Sequence, residues 1–332
     1  ADNFIRYPRV FYLIFNPILE NRNNQKLIPY AHWRDPWALS GQYIDAVRES
    51  SYGMINYQIT GNREVDDIPV KADGFDYTDD SYLNCVENNI GCHNGSGQDY
   101  TNYNKIISDY GICEMVNRGE IDELWMMGGP WFGFYEANMA GPGGFWTNGP
   151  VINGTICNKP IHIMGFNYER GYELMLHDLG HRTEGTMDNK VGYTKNSTGY
   201  SWGDFRSNPF NTFGNTILGC GDIHYTSNSP GAYIYNSQNN TRSNCEDWLN
   251  YPSFTGSNTD INCNSWTCGE AGHYQYWFSH LPHASGTDNL GHYNNWWRYI
   301  TNSSFDFPIT VTMTPAPTAT ITPFVTATPQ PP

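Results

Sequence analysis

The sequence predicts an α/β head over residues 1–306, built on a mainly parallel central sheet with flanking helices, and an extended Thr/Pro-rich tail over 307–332. Three observations carry this. Val10-Phe11-Tyr12-Leu13-Ile14-Phe15 is a continuous apolar, aromatic and β-branched run ended by Asn16-Pro17, the form of a strand buried on both faces. A helical repeat and a second strand follow at the spacing of a crossover unit, which calls for parallel strands. The second half, with a subdivision near residue 189 left open, is loop-rich and carries paired cysteines.

Taken in order, Asp35-Pro36 supplies an N-cap and first-turn pair, and Trp37, Leu39, Tyr43, Ile44 and Val47 recur at helical spacing as far as Ser50. Residues 54–60 alternate as the second strand. From Asp66 to Tyr103 the pattern breaks into Asp, Asn, Gly and Tyr; Asp73, Asp76, Asp79 and Asp80 form an oxygen-rich stretch of the kind that holds Ca²⁺ or simply makes turns. Short helices are expected at 103–110 and 114–118 and a third strand at 121–127. The glycine- and aromatic-rich segment Gly128-Gly129-Pro130-Trp131-Phe132-Gly133-Phe134-Tyr135-Glu136 follows. Glycines at a strand end let backbone approach a ligand while rings offer flat apolar surface, so Trp131, Tyr135 and Glu136 are candidate ligand-binding residues, carbohydrate being one candidate class. A tight loop anchored by its rings is the alternative.

The richest stretch comes next. Ile161-His162-Ile163-Met164 reads as a fourth strand that breaks at Gly165, and residues 168–184 read as a helix. Residues four apart on a helix lie one above the other, so Glu169, Glu173, His177 and His181 form a polar ladder that Glu184 extends. Two imidazoles at i and i+4 can present two nitrogens to one Zn²⁺, with Glu184 or the downstream His224 as third ligand. Asp178, or the neighbouring carboxylate Glu173, would then orient a water for hydrolysis. A polar stripe satisfied by its neighbours is the competing reading.

His177-Asp178-Leu179-Gly180-His181 resembles the HExxH signature of zincin metallopeptidases, with Asp178 where that family has Glu. The shorter side chain reaches less far toward a water, which weakens the implied base. The longer pattern, Gly165-Phe166-Asn167-Tyr168-Glu169-Arg170-Gly171 through Gly180-His181-Arg182-Thr183-Glu184, resembles an uncharacterised family of secreted bacterial proteins. Glu stands at the position of His177 in that family, and this implies a mixed carboxylate and imidazole cluster around His181 and Glu184. It brings no activity with it.

A net charge of −15 argues against nucleic acid as a partner. No run approaches the ~20 apolar residues of a membrane-crossing helix. Eight cysteines, with few charged residues and many Tyr, Asn and Gly, suggest a secreted, extracellular or cell-surface protein with disulfides, of which Cys85 with Cys92 and Cys263 with Cys268 are spaced to close small loops. The tail, which repeats Thr, Pro and Ala, resembles those of bacterial extracellular proteins and is expected to be O-glycosylated at Thr310, Thr312, Thr314, Thr318, Thr320, Thr322, Thr326 and Thr328. The leading functional expectation is therefore a structural or adhesive subunit of an extracellular assembly, self-associating through its tail into a fibre. The alternative is a zinc-dependent hydrolase, or a carbohydrate-binding protein on such a scaffold.

Overall fold

In the computed structural model, which describes residues 2–93 and 99–302, the apolar run at Tyr12 forms an interior strand of a five-stranded sheet. The framework is β1 (Arg9–Phe15), α1 (Pro36–Ser50), β2 (Gln58–Val65), α2 (Asp79–Asn88), α3 (Tyr103–Asp109), α4 (Ile112–Arg118), β3 (Glu123–Gly128), β4 (Ala137–Ala140), β5 (Ile161–Asn167), α5 (Tyr172–Lys190) and α6 (Glu270–Ser279). The sheet order is β2-β1-β3-β5-β4, all neighbours parallel except β4, which runs antiparallel on β5. The predicted α/β class and its four shared strands are thus present. β2 begins later than the alternation at 54–60 suggested, because Ile55 makes only an isolated bridge with Arg6 before the ladder starts at Gln58.

Two elements were not foreseen. β4 is a short edge strand without β-branched residues, and α2 lies inside the Asp-rich stretch. That helix starts because Thr78 and Ser81 form a reciprocal capping box and Asp79 and Asp80 occupy its first turn, where the helix dipole favours negative charge. Asp73 accepts from Phe75 N and bonds His93. Asp79 also accepts from Glu20 N and Asp80 from Asn21 Nδ2, and among the described residues no three carboxylates of this stretch come close enough together to share an ion.

The helix carrying the two histidines also moves relative to the sequence expectation. Its first turn begins at Tyr172, after Gly171, and it runs on to Lys190, so Glu169 lies outside the ladder. Its inner face buries Met175, Leu176, Leu179 and Met187. α5 packs on α1, on α6 and on the short helix Trp297–Ile300, so contacts cross residue 189 freely. A buried ion pair fixes it in depth: Arg182 donates to both oxygens of Glu123 on β3 at 2.7 Å and to Ile300 O at 2.7 Å. Trp125 Nε1 and Tyr57 OH complete the carboxylate's partners, and Trp125 sits edge-on to Tyr12, Tyr43, Tyr57 and Phe166 in the core.

All eight cysteines are paired, Cys85–Cys92, Cys113–Cys157, Cys220–Cys245 and Cys263–Cys268, as suits an oxidising compartment. No helix among the described residues is long and apolar enough to cross a membrane. The tail and its eight threonines lie outside the described residues.

Candidate metal centre

His177 and His181, one turn apart on α5, are each held from behind. His177 Nδ1 lies 2.9 Å from Tyr274 OH, whose own proton goes to Glu270 at 2.9 Å, so the ring nitrogen is the donor. His181 Nδ1 lies 3.1 Å from Glu184, which also accepts from Arg206 and from Ile223 N, each at 3.3 Å. A carboxylate at Nδ1 fixes the proton there and leaves Nε2 with a lone pair. Glu184 therefore orients His181 and is not itself part of the converging set.

His224 supplies the third nitrogen. Its Nε2 stands 3.0 Å from His181 Nε2, which is itself 3.0 Å from His177 Nε2, and all three ligand atoms lie within 4.8 Å of one another. The loop that delivers His224 is built locally. Asp222 Oδ1 accepts from His224 N and Tyr225 N, its Oδ2 accepts from Asn208, and Cys220 is tied to Cys245. Gly180 lets this loop touch the helix, since a Cβ there would sit 2.1 Å from Ile223 Cδ1.

Glu136 approaches from the sheet side. Its two oxygens lie 3.7 Å from His177 Nε2 and 3.6 Å from His181 Nε2, and Asn148 Nδ2 donates to it. The segment before it presses on β5 at Gly165, where a Cβ would meet Tyr135 O at 2.4 Å and Phe134 Cβ at 2.5 Å. Burial and the Glu184 charge raise the Glu136 carboxyl, against the pull of His181 and Asn148. Burial, then the charges of His181 and His224, hold His177 down at about 3. Burial lowers His181 too, but Glu184, Glu136 and Asp222 outweigh it and the balance is upward. Burial, then the charge of His181, lowers His224 as well, so of the three imidazoles only His181 is favoured in its protonated form.

Beside Glu136 opens a cleft of about 400 Å³ at the carboxyl ends of β3 and β5, lined among others by Lys71, Trp131, Arg170, Leu174 and Asp178. The carboxyl edge of a parallel sheet is where open α/β folds bind ligands. Trp131 stands on the rim, partly exposed, with a left-handed backbone and its carbonyl taking the Lys71 ammonium. Asp178 faces this cleft, and burial with the nearby Glu136 charge raises its carboxyl well above the usual range. Glu173 curls back on Gly171 at the helix start, where a Cβ would meet both its oxygens at 2.2 Å, and takes no part in the contacts among the imidazoles. Tyr135 turns away and stacks on Tyr103, so it anchors the loop.

Sequence reasoning missed Tyr233, Tyr274, Arg206 and Asn148, which reach the site from loops and helices with no fixed spacing to the motif. The one local clue was Gly180, a glycine inside a helical pattern, which marks a close approach. Comparison of the chain with family models, with curated proteins and with solved structures finds no match in any of the three.

Proposed function

We propose that the chain is a metal-dependent hydrolase in which His177, His181 and His224 hold one Zn²⁺ and Glu136 manages the proton. The observation that supports this most is the meeting of three Nε2 atoms, two of them with their ring protons fixed on the far side. Ring nitrogens facing each other at 3.0 Å need either a shared proton or a cation between them, and a metal ion serves all three at once. Four-coordinate zinc with Zn–N of about 2.0–2.1 Å would separate such nitrogens by about 3.3 Å. The donor set fits the ion.

Bound there, zinc would supply a Lewis acid able to acidify a water and polarise a carbonyl. Glu136, placed within 3.7 Å of two of the nitrogens, would serve as the group that accepts a water's proton and passes it to the leaving group. Glu136 comes from the loop before β4 and not from the helix that carries the two histidines. The cleft with its Trp131 rim would take an extended polar substrate, peptide or glycan-linked.

The test is metal analysis of dialysed protein followed by an assay against such substrates. One zinc per chain, lost in His224→Ala but kept in Glu136→Gln with activity lowered roughly 10²- to 10⁴-fold, is the expected result. Protein that retains no metal sinks the reading. The assembly-subunit proposal rests on residues outside the described part, and deletion of 307–332 tests it separately: loss of self-association supports it, unchanged association removes it.

A further inference from the structure

Tyr233 stands over the metal centre, bound to it in two ways. Its backbone N–H donates to His224 O at 2.8 Å, and its phenolic oxygen lies 3.1 Å from His224 Nε2, the nitrogen assigned above to the ion. Its ring lies 4.7 Å from that of His224 and nearly parallel to that of His177, at 6.2 Å and 24°. The residue has φ of 62°, a left-handed conformation that an L side chain adopts at a cost of ~1–2 kcal/mol and keeps where its surroundings hold it. Yet the side chain is 58 % exposed, so burial in a core does not hold it there.

Whichever atom donates, the hydrogen bond between the phenol and His224 Nε2 cannot persist once that nitrogen binds a cation. The phenolic oxygen then loses its partner and is left next to the ion held by the three imidazoles. We propose that Tyr233 is a fourth protein ligand of the metal centre, its oxygen taking the coordination position nearest the solvent as the phenolic proton leaves to water. The inference rests on the three-histidine metal reading and adds to it a ligand that substrate can displace, because an exposed side chain on a loop can swing away without moving the helix. Tyr274 is excluded from this role, since its hydroxyl serves His177 Nδ1 on the far side of the ring.

Copper(II) is the probe, because it accepts imidazole sites and phenolate bound to it absorbs intensely in the visible. Wild-type protein loaded with one equivalent of Cu²⁺ is expected to show nitrogen hyperfine structure from the imidazoles in its electron paramagnetic resonance spectrum, together with a phenolate-to-copper absorption band. Tyr233→Phe is expected to keep the nitrogen signal and lose the band, while Tyr225→Phe keeps both. A nitrogen signal with no band in the wild type, or a band that survives Tyr233→Phe, overturns the role of Tyr233 and leaves the histidine site intact. Failure to bind copper at all overturns the metal reading and this inference with it.

Discussion

Gly180 sits between the two helical histidines, where helix propensity alone would prefer alanine by about 1 kcal/mol. The 2.1 Å approach to Ile223 Cδ1 decides the matter the other way, since a methyl group there must push the Cys220–His224 segment outward or bend the helix. Gly180→Ala is therefore expected to leave both helical imidazoles in place and misplace His224. We expect zinc affinity, measured by competition with a chromophoric chelator, to fall roughly 10- to 100-fold, the size of effect seen when a ligand's support is disturbed. An unchanged affinity would mean that Ile223 yields and that the contact has no part in building the site. Of the residues in this centre, His177 and His181 were legible in the sequence because their relation is one helical turn. His224 could only be offered beside Glu184, because a separation of 43 residues carries no geometry until the chain is folded.

At the scale of the element, α5 must carry its histidines at a set height above the sheet, and Arg182 supplies the stop. The guanidinium and Glu123 are 0 % and 1 % exposed, so neither charge has water to fall back on. Arg182→Met should cost about 3–5 kcal/mol in urea denaturation, because it strands a buried carboxylate. Adding Glu123→Gln, which removes the charge while keeping an acceptor for Trp125 and Tyr57, should recover part of that loss; a double variant as unstable as the single one would contradict this account. The sequence made β1, α1 and β5 plain because their signals are local, a continuous apolar run or a capped helical repeat. It hid β4, whose Ala137-Asn138-Met139-Ala140 has little strand preference of its own and is a strand because β5 offers it a free edge. It hid α2 for a related reason: acidic residues in a first turn look like any turn until the buried Tyr82, Leu83 and Cys85 behind them are seen.

For the molecule as a whole, acid is the expected weak point. Burial holds His273 at about 4, against an ordinary 6.5, and drives His162 well below that ordinary value, with Arg182 adding to the effect. These folded-state values are depressed, so stability is complete above pH 6.5 and declines below it, as the unfolded chain takes up protons that the folded chain refuses. Each such histidine removes up to about 1.4 kcal/mol per pH unit until its folded value is reached. Thermal melts of the metal-free protein between pH 7 and pH 4 should therefore shift steadily downward, and His273→Gln should flatten part of the slope; a melting temperature independent of pH over that window would refute it. The way the three imidazoles are recruited has a further consequence. An unfolded chain offers an ion little more than scattered single nitrogens, a formed α5 offers two, and only the docked second half offers three. Occupancy of the centre thus reports on completion of the tertiary structure, and zinc should act as a folding ligand, raising the melting temperature with its concentration in the wild type and hardly at all in His224→Ala.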